Sequence, residues 1–138
     1  MAAFNKFNSF VEALAEKVHN LGSDTLKVML TNSAPSATNT VKADLTEISA
    51  GNGYTAGGTQ ATISSSAQTS GTYKLVLADV VFTATGSVGP FRYVVLYNDT
   101  ATNKELLGWY DYGSSITLAN GETFTVDFDA TNGVLTLA

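Results

Sequence analysis

Three observations predict a mainly β chain: an antiparallel β-sandwich or partly closed barrel with one N-terminal amphipathic α-helix. The segment Thr123 to Asp129 alternates strictly, with Phe124, Val126 and Phe128 on one face and Thr123, Thr125, Asp127 and Asp129 on the other. One dry and one wet face at period 2 is the pattern of an antiparallel strand laid on a core. Two further runs, Thr72 to Ala84 and Phe91 to Asp99, are apolar on both faces in their middles, as strands are when both sides are covered. Only one stretch has helical period. Between Phe4 and Leu21, the residues Phe7, Val11, Leu14, Val18 and Leu21 recur at spacings of four and three.

The helix is expected over residues 4–21, with Phe10 and Ala13 widening its stripe. Ser9 and Glu12 have capping-box spacing, Gly22 suits the C′ position, and Lys17 and His19 bring positive charge to the last turns. Its stripe, including Leu14 and Val18, is expected in the core. Leu26 to Leu30 follows as a strand with Leu26, Val28 and Leu30 facing in, and residues 31–40 form a loop. Ala43 to Ile48 reads as one helical turn or an irregular segment. Gly51 to Gly58 reads as a tight exposed turn needing positive φ, with Tyr54 packed across it.

Thr59 to Gly71 alternates weakly and suits an edge strand or an extended arm lent to a neighbouring copy. After the strand Thr72 to Ala84, the run TGSVGP reads as a turn. Phe91 to Asp99 follows, with Phe91, Tyr93, Val95 and Tyr97 opposite Arg92, Val94 and Leu96. Asn98 to Glu105 is its hairpin connection to Leu106–Tyr110. Ser115 to Leu118, a tight turn at Ala119–Glu122, the alternating strand, and Val134 to Leu137 complete a single domain over residues 1–138. Its parts are a helix at 4–21 and a β body at 26–137, with about seven or eight strands.

Composition narrows the functional classes. Charged residues make up 14% of the 138, against about a quarter in an average domain, and Thr, Ser, Asn and Gly replace them. Such a surface suits a subunit inside an assembly, where neighbouring copies would otherwise have to desolvate charge. Seven basic and twelve acidic residues give a formal charge of -5, and no two basic residues are adjacent, which argues against phosphate-mediated nucleic-acid binding. Cysteine is absent. No apolar run at the N-terminus resembles a signal-peptide core and no stretch approaches membrane-spanning length. The expectation is a soluble protein outside the general secretory route, with no membrane partner and with Asn98-Asp99-Thr100 a chance sequon.

The search for chemistry points to no enzyme, no cofactor and no metal. His19 is the sole histidine and is expected as a surface residue of the last helical turn, without a partner nucleophile. Asp127 and Asp129 share a strand face that Asp99 and Asp111 would approach from neighbouring strands, but the expected state is solvent-facing carboxylates, not an acid–base pair. The run from Asp127 to Gly133 hints at a calcium loop. It fails the EF-hand pattern, with Asn132 at the sixth position and Ala138 at the twelfth. The glycines of Gly51–Gly58 lack the GxxxxGK[ST] pattern of a phosphate loop. What remains is a set of aromatics, Tyr93, Tyr97, Trp109, Tyr110 and Tyr112, on two adjacent strands. Half are expected in the core, and the others are candidate contacts for a partner chain or a sugar.

Several segments together resemble a group of small structural proteins encoded by tailed bacteriophages: the opening through Pro35, ADLTEISAGNGYTAGG, SVGPFRYVVLYND, and the closing run from Gly108 to Ala138. The resemblance covers most of the chain and contains no catalytic signature. It implies a virion structural protein assembled in the host cytoplasm, first of all a capsid decoration or cement protein stabilising the head. The alternative is a tail or tail-fibre component with carbohydrate or host-surface binding. The partners implied are copies of itself, with a trimer favoured, and the major capsid protein or tail proteins.

Overall fold

The computed structural model describes residues 2–138. In chain order the elements are β1 (Asn5–Lys6), α1 (Ser9–Ala15), β2 (Leu26–Thr31), a 3-10 turn (Lys42–Asp44), β3 (Thr59–Ala61), β4 (Ile63–Thr69), β5 (Thr72–Leu77), β6 (Val80–Thr83), β7 (Val88–Asn98), β8 (Leu106–Leu118), β9 (Thr123–Val126) and β10 (Leu135–Leu137). They form a five-stranded sheet in the order β1-β8-β7-β2-β3, a three-stranded sheet β10-β5-β4 and a two-stranded ribbon β6-β9, with every pairing antiparallel. The predicted mainly β class with one helix is what the chain adopts. Among the described residues the sheets stack as in a sandwich, and none closes into a barrel.

The main core lies between the inner face of the large sheet and the two smaller sheets. Val28, Leu30, Val94 and Leu96 from the one meet Leu75, Leu77, Phe82 and Val126 from the others. A second, smaller core covers the outer face of the large sheet, where Phe7, Met29, Val95, Tyr97 and Leu106 pack with Leu45 and Trp109. Both faces of β2 and β7 are therefore dry, which explains their continuous apolar runs.

The helix is shorter than its sequence period implies. Asn5 and Lys6 are extended and pair with Trp109 and Gly108 of β8, so Phe4 and Phe7 flank a short strand and are not part of a helical stripe. The predicted capping box does not form. Ser9 is already inside the helix, and the cap residue is Asn8, whose side chain makes no cap bond. At the other end Lys17 takes φ 70°, Lys17 N–H donates to Leu14 O and Val18 N–H to Ala13 O. That pair of bonds is a Schellman stop, which ends the helix five residues before Gly22. Val11 and Val18 are consequently exposed and Leu14 half-buried, against the expectation that Leu14 and Val18 lie in the core.

Thr72–Ala84 is not one strand. It breaks at Ala78 and Asp79 because β5 belongs to the three-stranded sheet and β6 to the ribbon, and Asp79 Oδ1 braces the corner by accepting Phe128 N–H at 2.9 Å. Leu106–Tyr110 and Ser115–Leu118 are the two ends of the single long strand β8, whose polar middle, residues 112–115, has no partner on β7 between the pairs Tyr93↔Asp111 and Phe91↔Ile116. A register shift between Phe91 and Tyr93 places Phe91 in the main core with Val94 and Leu96, not on the face of Tyr93, Val95 and Tyr97.

Thr59–Gly71 pairs within its own chain, with β3 on β2 and β4 on β5. The segment is edge strand, as one of its two expected forms has it: β3 ends the large sheet and β4 ends the three-stranded sheet, and neither is lent to a neighbour. Gly58 opens it by passing against β2 so closely that a Cβ would meet Val28 O at 1.8 Å.

Candidate functional site

The five candidate aromatics separate by face. Tyr93, Tyr97 and Trp109 lie on the outer side of the large sheet, while Tyr110, opposite Val94, lies on the inner side. Tyr97 is 1% exposed and donates to Gly57 O at 2.5 Å, so it is core. Burial, with the charges of Asp99 and Glu47, pushes its phenol well above the usual range. Trp109 packs on Phe7 with ring centroids 4.7 Å apart, and Arg92 lies 5.4 Å over the Tyr93 ring. Tyr110 is half-buried between Phe4 and Phe128, and burial beside the Asp129 charge pushes its hydroxyl up to about 12. Only Tyr112 presents most of a ring to solvent, at 54% exposure, with its edge against Phe124.

Tyr110 and Tyr112 do meet at one place. With Val94, Phe124, Val126 and Asp127 they line a hollow of about 250 Å³ where the inner face of the large sheet opens toward β9. The walls are mostly apolar and aromatic, and Asp127 brings the one carboxyl group among the lining residues. Such a hollow accepts a ring or an aliphatic group and has no nucleophile–base pair.

The carboxylates are placed to hold loops. Asp99 bridges Lys27 at 3.3 Å and Lys104 at 3.2 Å. Burial pushes its carboxyl up, but the two lysines together outweigh this and hold it below the usual range. Asp111 takes Arg92 in a two-pronged pair at 2.8 and 3.1 Å and accepts Gly113 N–H, all of which lower it. Asp129 accepts the N–H groups of Asn132 and Thr131 and the Asn132 side chain, again favouring the ionised form. β9 ends at Val126, so Asp127 and Asp129 do not share a strand face. Among the described residues no three His, Asp or Glu side chains converge on a metal-sized gap.

The Gly51–Gly58 turn has the expected tight form, Gly51 and Tyr54 exchanging backbone bonds, but Tyr54 is buried more deeply than a packed lid. Its hydroxyl accepts Leu30 N–H and donates to Glu47 Oε2 at 2.6 Å, and Glu47 also accepts Gly57 N–H and Lys42. Burial and then the Glu47 carboxylate push this phenol far up. Glu47 thus pins the glycine-rich turn to β2.

His19 departs most from expectation. It lies beyond the helix and is 5% exposed, not a surface residue. Asn98, fully buried, accepts Thr100 and Ala101 N–H through Oδ1, which directs its Nδ2 at Asp24 Oδ2 (2.7 Å) and His19 Nδ1 (2.9 Å). His19 Nδ1 is therefore an acceptor and the ring neutral, with its proton on Nε2, which is buried without a partner. Burial lowers its pKa, opposed by Glu105 and Asp24. No sequence spacing announces this triad, since its members come from positions 19, 24 and 98. Compared with protein-family models, with curated protein sequences and with solved structures, the chain matches none.

Proposed function

We propose that this protein is a structural component of a tailed-bacteriophage particle, a decoration or cement subunit of the head that partners copies of itself and the major capsid protein. The observation that carries the reading is the employment of its charged groups. Asp24, Asp44, Glu47, Asp99, Asp111 and Asp129 all clamp loops or neighbouring strands, leaving a rigid scaffold with a surface of small polar residues. A scaffold of this kind acts by shape and backbone contact, as a subunit stiffening a shell does, and the segment resemblance to phage structural proteins supports the same assignment. Its place of action is then the virion, after assembly in the host cytoplasm. Quantifying the chain in purified particles tests this. On the order of hundreds of copies per particle, as a closed shell lattice demands, is the expected result, and a few dozen moves the protein to the tail.

The hollow at Tyr110, Tyr112 and Phe124 favours the second reading, a tail or fibre part that binds host-surface sugar, because an exposed ring beside a carboxylate is what a sugar face and its hydroxyls use. Saturation-transfer NMR with host glycans, lost on Tyr112→Ala, is the result that would favour it. No transfer leaves the head assignment alone.

A further inference from the structure

The outer edge of β4 is poorly protected against pairing. On its inner side β4 pairs with β5 from Ser65↔Val76 to Thr69↔Thr72, closed by a two-residue turn in which Ser70 and Gly71 both have positive φ. A turn of that type makes Thr69 and Thr72 a hydrogen-bonded pair, so Ala67 also addresses β5. Ser66 and Gln68 then direct their backbone N–H and C=O groups to the open side. Between Thr59 and Gly71 there is no charged residue and no proline, the devices that ordinarily blunt an edge. The one irregularity lies between Ile63 and Ser65, away from this stretch.

We infer that β4 pairs antiparallel with the β4 of a second copy, about a two-fold axis at Ala67, joining the two three-stranded sheets into one. In this register Ser66 stands opposite Gln68 of the second copy, and the reverse, so both outward pairs complete their hydrogen bonds. Ala67 faces itself at the position between them, where backbones approach most closely, about 4.5 Å between Cα atoms. Ala67 is exposed, and its methyl is small enough for that approach. The nearest charge is Lys74, across from Ala67 on β5. Its counterpart in the second copy is three strand spacings off, about 14 Å, beyond a Debye length of about 8 Å. The sheet's other edge, β10, is a poorer partner: it offers three residues, against seven in β4. Around Ala67 a foreign strand would find only uncharged side chains, none of them aromatic, with little to select it. The strand's own copy needs no selection.

This contact deepens the self-association in the reading above and is separable from it. A chain that dimerises through β4 but never joins a particle keeps the contact and refutes the placement, and the converse result does the opposite. Sedimentation of the full chain at about 0.1 mM is expected to show twice 14.4 kDa. Ala67→Lys and Ala67→Glu, each folded by circular dichroism, are expected to sediment as monomers, and an equal mixture of the two to recover the dimer, because the axis residue faces its own copy. Amide exchange at Ser66 and Gln68 should slow as wild-type concentration rises. A wild-type monomer, a trimer, a dimer that survives Ala67→Lys, or concentration-independent exchange at these amides overturns the inference.

Discussion

Removing the Asn98 side chain tests the buried triad directly. In Asn98→Ala, four hydrogen bonds vanish: those to Thr100 N–H, Ala101 N–H, His19 Nδ1 and Asp24 Oδ2. Thr100 is exposed and Asp24 half-buried, so water replaces the amide at both with little net cost. Ala101 N–H and His19 Nδ1 are buried and stay unpaired, at about 1–3 kcal/mol each. The expected loss is therefore about 3 kcal/mol, a large part of the roughly 5–15 kcal/mol that holds a domain together. With a urea slope near 1.5 kcal/mol per molar, the midpoint should fall by about 2 M.

The same triad has a pH signature. The folded-state pKa of His19 is lowered, so its contribution is complete above the unfolded value of about 6.5 and declines as pH falls below it toward the folded value. The limiting slope is about 1.4 kcal/mol per pH unit. Freed of Asn98, Nδ1 can take a proton beside Asp24, so the slope between pH 7 and 5 should flatten in the variant. A midpoint shift under about 0.5 M, or an unchanged pH slope, would refute the assignment of donors and tautomer.

Phe128→Ala should cost about 3–5 kcal/mol by urea unfolding, since Phe128 is 3% exposed against Tyr110, and a loss below about 1 kcal/mol would contradict its place in the core. Lys17→Gly should raise stability by about 0.5–1 kcal/mol in the same assay, because Lys17 holds a left-handed conformation that glycine adopts without strain. EDTA should leave the melting temperature unchanged, as Asp129 is already occupied by Thr131 and Asn132; a fall that calcium reverses would show a metal-linked loop. Asp44, Asp111 and Asp129 all have lowered folded-state pKa values, so their share of stability is present above the unfolded value of about 3.9 and is lost only as pH falls through the folded values; chemical shifts of their carboxyl carbons should titrate below it.

What the sequence made legible depended on whether one environment acted on a whole segment. β2 was readable because Leu26, Val28 and Leu30 all face one core, and the Asn98–Glu105 hairpin because its flanking strands pair directly. Helical spacing runs past the ends of the helix because Phe7, Val11 and Val18 keep it while doing unrelated things. Phe7 fills the outer core, Val11 and Val18 are exposed, and the stop at Lys17 uses a residue with no turn signature. The sequence pattern of β8 is interrupted because its middle, from Tyr112 to Ser115, is exposed; a strand that leaves the core midway carries no alternation to detect. The aromatic cluster was half legible: adjacency on β7 and β8 was right, but facing alternates, and Tyr97 and Tyr110 ended on opposite sides of one sheet.

The shortage of charge and the open β4 edge have one physical root. Most soluble domains keep strand edges apart with lysines and keep surfaces apart with mixed charge. Here four of the six lysines are engaged elsewhere: Lys27 and Lys104 on Asp99, Lys42 on Glu47, and Lys74 on Thr131 O. The arm from Thr59 to Gly71 is left with serine, threonine, alanine and glutamine around a single Ile63 and a closing Gly71, and it carries no charge to repel a second copy. Ion pairs that fix loops raise rigidity within one copy, and their absence from the arm lowers the barrier between copies. A single allocation of few charges therefore favours both a stiff subunit and a permissive contact.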